Sequence, residues 1–191
     1  MIALEFCPRK PYCNTLASGA ADLNAPIAPG ATQPGIIGVL ANGKRFVNEA
    51  NGYYDYVTAM VASAPPGEEV ASWLICSHGF QRRYGLGISR PFPVPLSSFI
   101  RSGYLKTGNT LEELAQACGI DPIGLVATVD EFNQHARRGE DPLFGRGSTA
   151  FNRRSGDAQH AGPNPCVAPI EQGPFYAVKV QPGCFGTFAG L

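Results

Sequence analysis

No apolar run in this 191-residue chain approaches the 18 or so residues that a membrane-spanning helix needs, so no span is expected. Net charge is also missing, because 15 basic and 15 acidic residues cancel. Nothing of that kind draws the chain to nucleic acid or to an anionic membrane. The start lacks a basic region followed by an apolar core, which argues against a secretory signal and for a cytoplasmic protein. Metal-ligand spacing is absent too. Cys7 and Cys13 have no second pair, and His78, His135 and His160 lie far apart, so no metal is expected. The six cysteines are scattered and read as free thiols. No G-x-G-x-x-G follows a strand: Gly85-Leu86-Gly87 runs into Ile-Ser-Arg, and Gly145-Arg146-Gly147 falls in a loop. The close backbone approach and helix N-terminus that a pyrophosphate needs are therefore not found. Ser77-His78 has no nucleophile elbow around it, which sets aside a hydrolase.

What is present is enough apolar residue, 44%, for one core, with glycine and proline making about a fifth of the chain. The most informative stretch is Gly35 to Met60, GIIGVLANGKRFVNEANGYYDYVTAM. Two extended runs flank Ala41-Asn42-Gly43-Lys44, and Asn-Gly between such runs predicts a hairpin because both residues tolerate positive φ. Arg45, Asn48 and Glu49 then fall at the end of the returning strand, and a helix runs from Tyr54 to Ser63 until Pro65-Pro66-Gly67 stops it.

Elsewhere, Val70 to Cys76 reads as a strand buried on both faces, Phe80 to Tyr84 as a short helical turn and Phe175 to Val180 as a closing strand. Residues 110–118 form a helix capped by Asn109 or Thr110 and stopped by Gly119. A second helix follows Asp121 and Pro122, with Leu125, Val129, Phe132 and Ala136 as one apolar stripe. Trp73, Phe92, Phe99 and Phe132 are expected in the core. Residues 1–34 are expected to be irregular, with one short strand at most, and 140–169 to be a long loop without period. The fold class is α+β, a small antiparallel or mixed sheet covered by helices. Residues 35–180 form the domain, and 181–191 begin a further segment.

The stretch NGKRFVNEANGYYDY resembles the signature of the cap, or substrate-binding, domain of the fumarate reductase and 3-ketosteroid dehydrogenase superfamily of FAD-dependent flavoproteins. FQRRYGLG, the helix pair, PNPCVAPI and GPFYAVKVQPGCFGTFAGL continue the resemblance in order over roughly Gln33 to Leu191. The steroid branch fits better, since the fumarate reductase branch usually has His-Thr where this chain has Gly186-Thr187. The resemblance implies that Tyr53 is the general base for the α-proton of a ring ketone, with Arg45 and Glu49 as supporting charges. A phenol of ordinary pKa near 10 would need a second hydroxyl or a positive neighbour for that work. It further implies that Gly186, Thr187 and Gly190 face the flavin, with Tyr54 and Asn48 near substrate. On the residues alone, Arg45 and Glu49 at i and i+4 are an ordinary ion pair, Asn48 a helix cap and Tyr53 a half-buried aromatic.

FAD is implied for the family, but with no phosphate-binding turn it is not expected to be bound by this chain alone. The expected partners are a steroid-like or other small ketone and either a flavin-bearing chain or a second copy. A subunit of a split enzyme, a catalytically silent binding module and a fumarate-reductase-like fragment stay open as alternatives.

Overall fold

The computed structural model describes residues 16–17 and 31–182. The strands are β1 (Leu16–Ala17), β2 (Ile36–Val39), β3 (Ser72–Ser77), β4 (Lys106–Gly108) and β5 (Phe175–Gln181). The helices are α1 (Tyr53–Ser63), α2 (His78–Tyr84), α3 (Ser97–Arg101), α4 (Leu111–Cys118), α5 (Pro122–Ala136) and α6 (Ala150–Ser155).

Every strand pairing is antiparallel, with β3 central between β2 and β5. Ile37 stands opposite Ile75, and Ile75 opposite Ala177. β4 and β1 share the far edge of β5, along Phe175–Ala177 and Val180–Gln181 respectively. Side chains alternate across the sheet. Ile37, Val39, Trp73, Ile75 and Ala177 pack under α4 and α5, while Ile36, Leu74, Cys76, Tyr176 and Val178 pack against α1 and the segment around α2. Both faces are covered, which is why β3 is buried along its whole length.

The helix ends follow the local chemistry of their sequence. Thr110 Oγ1 accepts from the Glu113 N–H at 3.2 Å, Glu113 Oε2 reaches back to the Asn109 N–H at 2.8 Å, and Gly119 closes α4 at φ 71°. Asp121 accepts from the N–H groups of Ile123 and Gly124, with Pro122 in the first turn of α5. Leu125, Val129, Phe132 and Ala136 are all buried. Among the described residues no helix is long and apolar enough to cross a membrane.

Four expectations need correction. The hairpin shrinks to one isolated bridge between Val39 and Arg45, because charged side chains, not a strand, occupy the outer edge of β2. Residues 140–169 are not a structureless loop: they contain α6 and bury Asp141, Arg146, Asn152 and Asn164. β4 was not anticipated, since three residues carry no readable period. Phe92 lies outside the core at 72% exposure, where the Pro91, Pro93 and Pro95 run crosses the surface and the Arg82 guanidinium stacks 5.2 Å from its ring.

The turn at 41–44 docks on α5 through two glycines. Gly43 sits at φ 73° and a Cβ there would strike the backbone of Leu125, while a Cβ on Gly124 would strike the Asn42 carbonyl. Gly43→Ala is therefore expected to destabilise by about 1–3 kcal/mol. Gly79→Ala, inside α2 with no atom closer than 4.0 Å to its Cβ, is expected to stabilise by about 0.5–1 kcal/mol. Urea midpoints of the two variants measure both.

Candidate functional site

Arg45 and Glu49 meet in a buried cluster of four charges. Arg45 Nε and Nη2 donate to the two Glu49 carboxylate oxygens at 2.9 and 2.7 Å, and Nη1 and Nη2 donate to Asp141 at 2.8 and 2.9 Å. Its guanidinium lies between the rings of Phe132 and Phe144, 5.0 and 4.9 Å from their centroids. Arg146 completes the cluster, with Nη1 on Glu49 Oε2 at 3.2 Å and on the Ile36 carbonyl, and Nη2 on the Ala31 and Gln33 carbonyls at 2.7 Å each. Two positive and two negative charges balance with none of the four side chains more than 2% exposed. The i, i+4 pair is thus no surface ion pair worth a few tenths of a kcal/mol. Desolvation makes each member dependent on the others.

Burial, the largest single influence on the Glu49 carboxyl, opposes its charge. The Arg45 and Arg146 guanidiniums and the Gly38 N–H outweigh it and hold the group below the ordinary carboxylate range. Asp141 is held low in the same way, burial opposing and Arg45 prevailing.

The segment leaving Glu49 turns through Ala50, Asn51 and Gly52 into α1. Asn48 does not cap this helix; Gly52 occupies the N-cap position without a side-chain acceptor. Asn48 Oδ1 instead accepts from the Ala50 N–H at 2.9 Å, and its amide donates to the Phe144 carbonyl and to Asn152 Oδ1. Tyr53 opens α1, half-buried, on the wall of a cavity of about 220 Å³ that Thr32, Glu49, Asn51, Tyr56 and Phe151 also line. Among the described residues its hydroxyl has no hydrogen-bond partner. Tyr54 is not among the described residues that line this wall and is 38% exposed. Tyr56, one turn on, is core: its hydroxyl meets Ser72 Oγ at 3.0 Å, and burial pushes its phenol above the ordinary tyrosine range. None of the described residues that line the cavity is basic. Gly186, Thr187 and Gly190 lie outside the described residues. Ser77 is engaged as the cap of α2, accepting from the Phe80 N–H.

Sequence reading missed Asp141, Arg146 and Asn152. The signal for the first two was the acid–arginine pair within EDPLFGRG, read as loop, whose partners stand 96 and 97 residues away.

The profile of the FAD binding domain family matches residues 11–191. The chain belongs to this family. It is 49% identical over 158 residues to the 4-oxocyclohex-2-ene-1-carboxylate 5-dehydrogenase of Sinomonas cyclohexanicum, covering 83% of this chain and 27% of that protein. To the 3-oxosteroid 1-dehydrogenase of Mycolicibacterium smegmatis it is 36% identical, over 83% of this chain and 28% of the other. A solved 3-ketosteroid Δ1-dehydrogenase from Sterolibacterium denitrificans, in complex with 1,4-androstadiene-3,17-dione, superposes with a TM-score of 0.81 at 32% identity, over 92% of this chain and 32% of that one. The chain thus spans little more than a quarter of the length of these curated relatives. The matched profile is that of the FAD-binding domain, whereas the motifs had pointed to the cap.

FAD is the cofactor of the family, yet the described residues do not fit it. β3 passes into α2 through Ser77 with no glycine-rich turn between them. At about 220 Å³ the cavity beside Tyr53 is also too small to enclose a dinucleotide.

Glu49→Gln is expected to destabilise by about 3–5 kcal/mol, since it leaves two buried guanidiniums sharing one carboxylate. A carboxyl held low binds fewer protons folded than unfolded. Its contribution is present above the unfolded carboxylate pKa near 4 and is lost as pH falls through the lowered folded value. Denaturation curves through the acid range should show wild-type stability falling steeply there and the variant falling less.

Proposed function

We propose that this chain is the substrate-binding cap of an FAD-dependent dehydrogenase that desaturates a ring ketone, with Tyr53 as the base for the α-proton. The observation that carries the reading is a tyrosine at the start of a helix on the wall of a cavity, its hydroxyl not tied to any described residue. In this reading the hydroxyl or cation that lets the phenol ionise comes from outside the described residues. A neutral ketone ring fits such a wall, with any carboxylate carried on that ring lying outside the cavity. The similarity to enzymes named for a cyclohexenone carboxylate and for 3-oxosteroids supports the ketone class. A small dicarboxylate would want converging cations, and the described residues of the lining supply none.

In this reading the described residues serve the proton side of the reaction. Tyr53 takes the proton that the neighbouring carbonyl acidifies, and the walls around it keep water from the reacting carbon. Arg45 and Glu49 act at one remove, by fixing the turn that leads to Tyr53. Tyr54, on the outer side of α1, and Asn48, behind the turn, contribute to substrate binding through that same segment. FAD is held by residues outside those described, and Gly186, Thr187 and Gly190 are proposed for its ring.

Amide shifts of the labelled chain, titrated separately with 1,4-androstadiene-3,17-dione, 4-oxocyclohex-2-ene-1-carboxylate and fumarate, test the reading. The ketones are expected to move Asn51, Tyr53 and Phe151, and fumarate to leave them in place. Fumarate acting on those amides, or the ketones acting elsewhere, would sink the proposal. After incubation with FAD and gel filtration the chain is expected to be colourless, and a retained flavin band would overturn its dependence on another cofactor-binding unit.

A further inference from the structure

Asn152, on α6, is fully buried and uses every hydrogen-bonding position its side chain has. Its Oδ1 accepts from Asn48 Nδ2 at 3.0 Å and from the Gly147 N–H at 3.1 Å. Its Nδ2 donates to the Ala50 carbonyl at 3.0 Å and to Asn51 Oδ1 at 3.1 Å. A backbone donor on one side and a backbone acceptor on the other fix which end of the amide is oxygen. Three asparagine side chains thereby stitch the turn at 48–52 to a helix about a hundred residues away in sequence.

Within itself the turn is closed by the Asn51 N–H on the Asn48 carbonyl at 3.1 Å and the Ala50 N–H on Asn48 Oδ1 at 2.9 Å. Gly52 provides no side-chain cap, so the first turn of α1 relies on the segment before it. Phe151 and Ser155, its neighbours on α6, line the same cavity as Tyr53, as do Ala50, Asn51 and Gly52 of the turn. One short helix therefore holds the tyrosine's turn from behind and forms the wall beside it.

We propose that Asn152 is the positioning residue of this site, holding the turn at 48–52 so that the Tyr53 phenol faces the cavity at a fixed angle. The proposal rests on the reading of Tyr53 as the base. It assigns Asn152 no contact with substrate; the residue acts through Ala50 and Asn51.

Amide hydrogen exchange on the whole chain tests it, with Asn152→Ala as the main variant. Amides from Ala50 to Tyr56 are expected to exchange on the order of ten- to a hundredfold faster, while those of β3 and β5 keep their protection. Unchanged protection at 50–56, or equal loss throughout the sheet, would overturn the proposal. Should that variant not fold, Asn152→Asp keeps the size and both accepting contacts and replaces the donors to Ala50 and Asn51 by a carboxylate oxygen that repels both acceptors, with the same outcomes. Titration with 1,4-androstadiene-3,17-dione adds a readout that a merely structural role leaves alone: the shift at Tyr53 should shrink severalfold in the variant while that at Phe151 persists. A turn loosened in a protein that binds no ketone would keep the positioning role and discard the base. A turn unaffected in a protein that does bind one would do the reverse.

Discussion

The outer edge of β2 is the constraint on which the rest of the structure depends. An unpaired edge strand must have its N–H and C=O groups satisfied or covered. Here two buried side chains do what a neighbouring strand would otherwise do: Glu49 accepts from the Gly38 N–H at 2.9 Å, and Arg146 donates to the Ile36 carbonyl. A charge can replace a strand in the interior only when it is matched, and the four members balance with nearly every polar position engaged. The Arg146 Nε is the exception, without a partner among the described residues. Because Arg146 also binds the carbonyls of Ala31 and Gln33, the chain entering β2, the turn leaving it and the 141–147 segment must converge on one point.

That convergence explains both what the sequence disclosed and what it hid. α4 and α5 were readable because their caps and stripe are local: Thr110, Gly119 and Asp121 act on backbone groups two to four residues away, and Pro122 occupies the first turn. β3 and β5 were readable as apolar runs. The hairpin was misjudged because Asn42-Gly43 does make its turn, with Leu40 N–H bonding the Lys44 carbonyl at 3.0 Å, yet the returning limb is diverted by its own charged residues after a single bridge. Period and propensity carry no information about a guanidinium 110 residues away from the strand it serves. For the same reason the loop at 140–169, polar and aperiodic, looked like surface and is partly interior.

The site shows the same division. The Arg45–Glu49 spacing was visible as a pair, but its burial depends on Asp141 and Arg146, which come from a distant segment. The family resemblance singled out Tyr53, and the geometry sets it on a cavity wall. What neither spacing nor resemblance revealed is the support behind it. Polar residues such as Asn152 in a glycine-rich stretch give no local signal of being fully buried.

The short segment from Arg45 to Gly52 unites the two devices. Its first half is locked by bidentate ion pairs, which are strong and directional in themselves. Its second half is locked by asparagine amides, whose fixed donors and acceptors also specify direction. Charge anchors the segment in the interior and the amides carry its orientation on to the start of α1, and Tyr53 is the first residue after both. A serine or aspartate at position 52 would gain only a few tenths of a kcal/mol over glycine as a helix cap. It would also put a side chain where the cavity wall now consists of Gly52 with open space beyond it. The weak cap is therefore consistent with a wall kept thin beside the tyrosine, and the rigidity that a stronger cap would have supplied comes instead from behind, through Asn48 and Asn152.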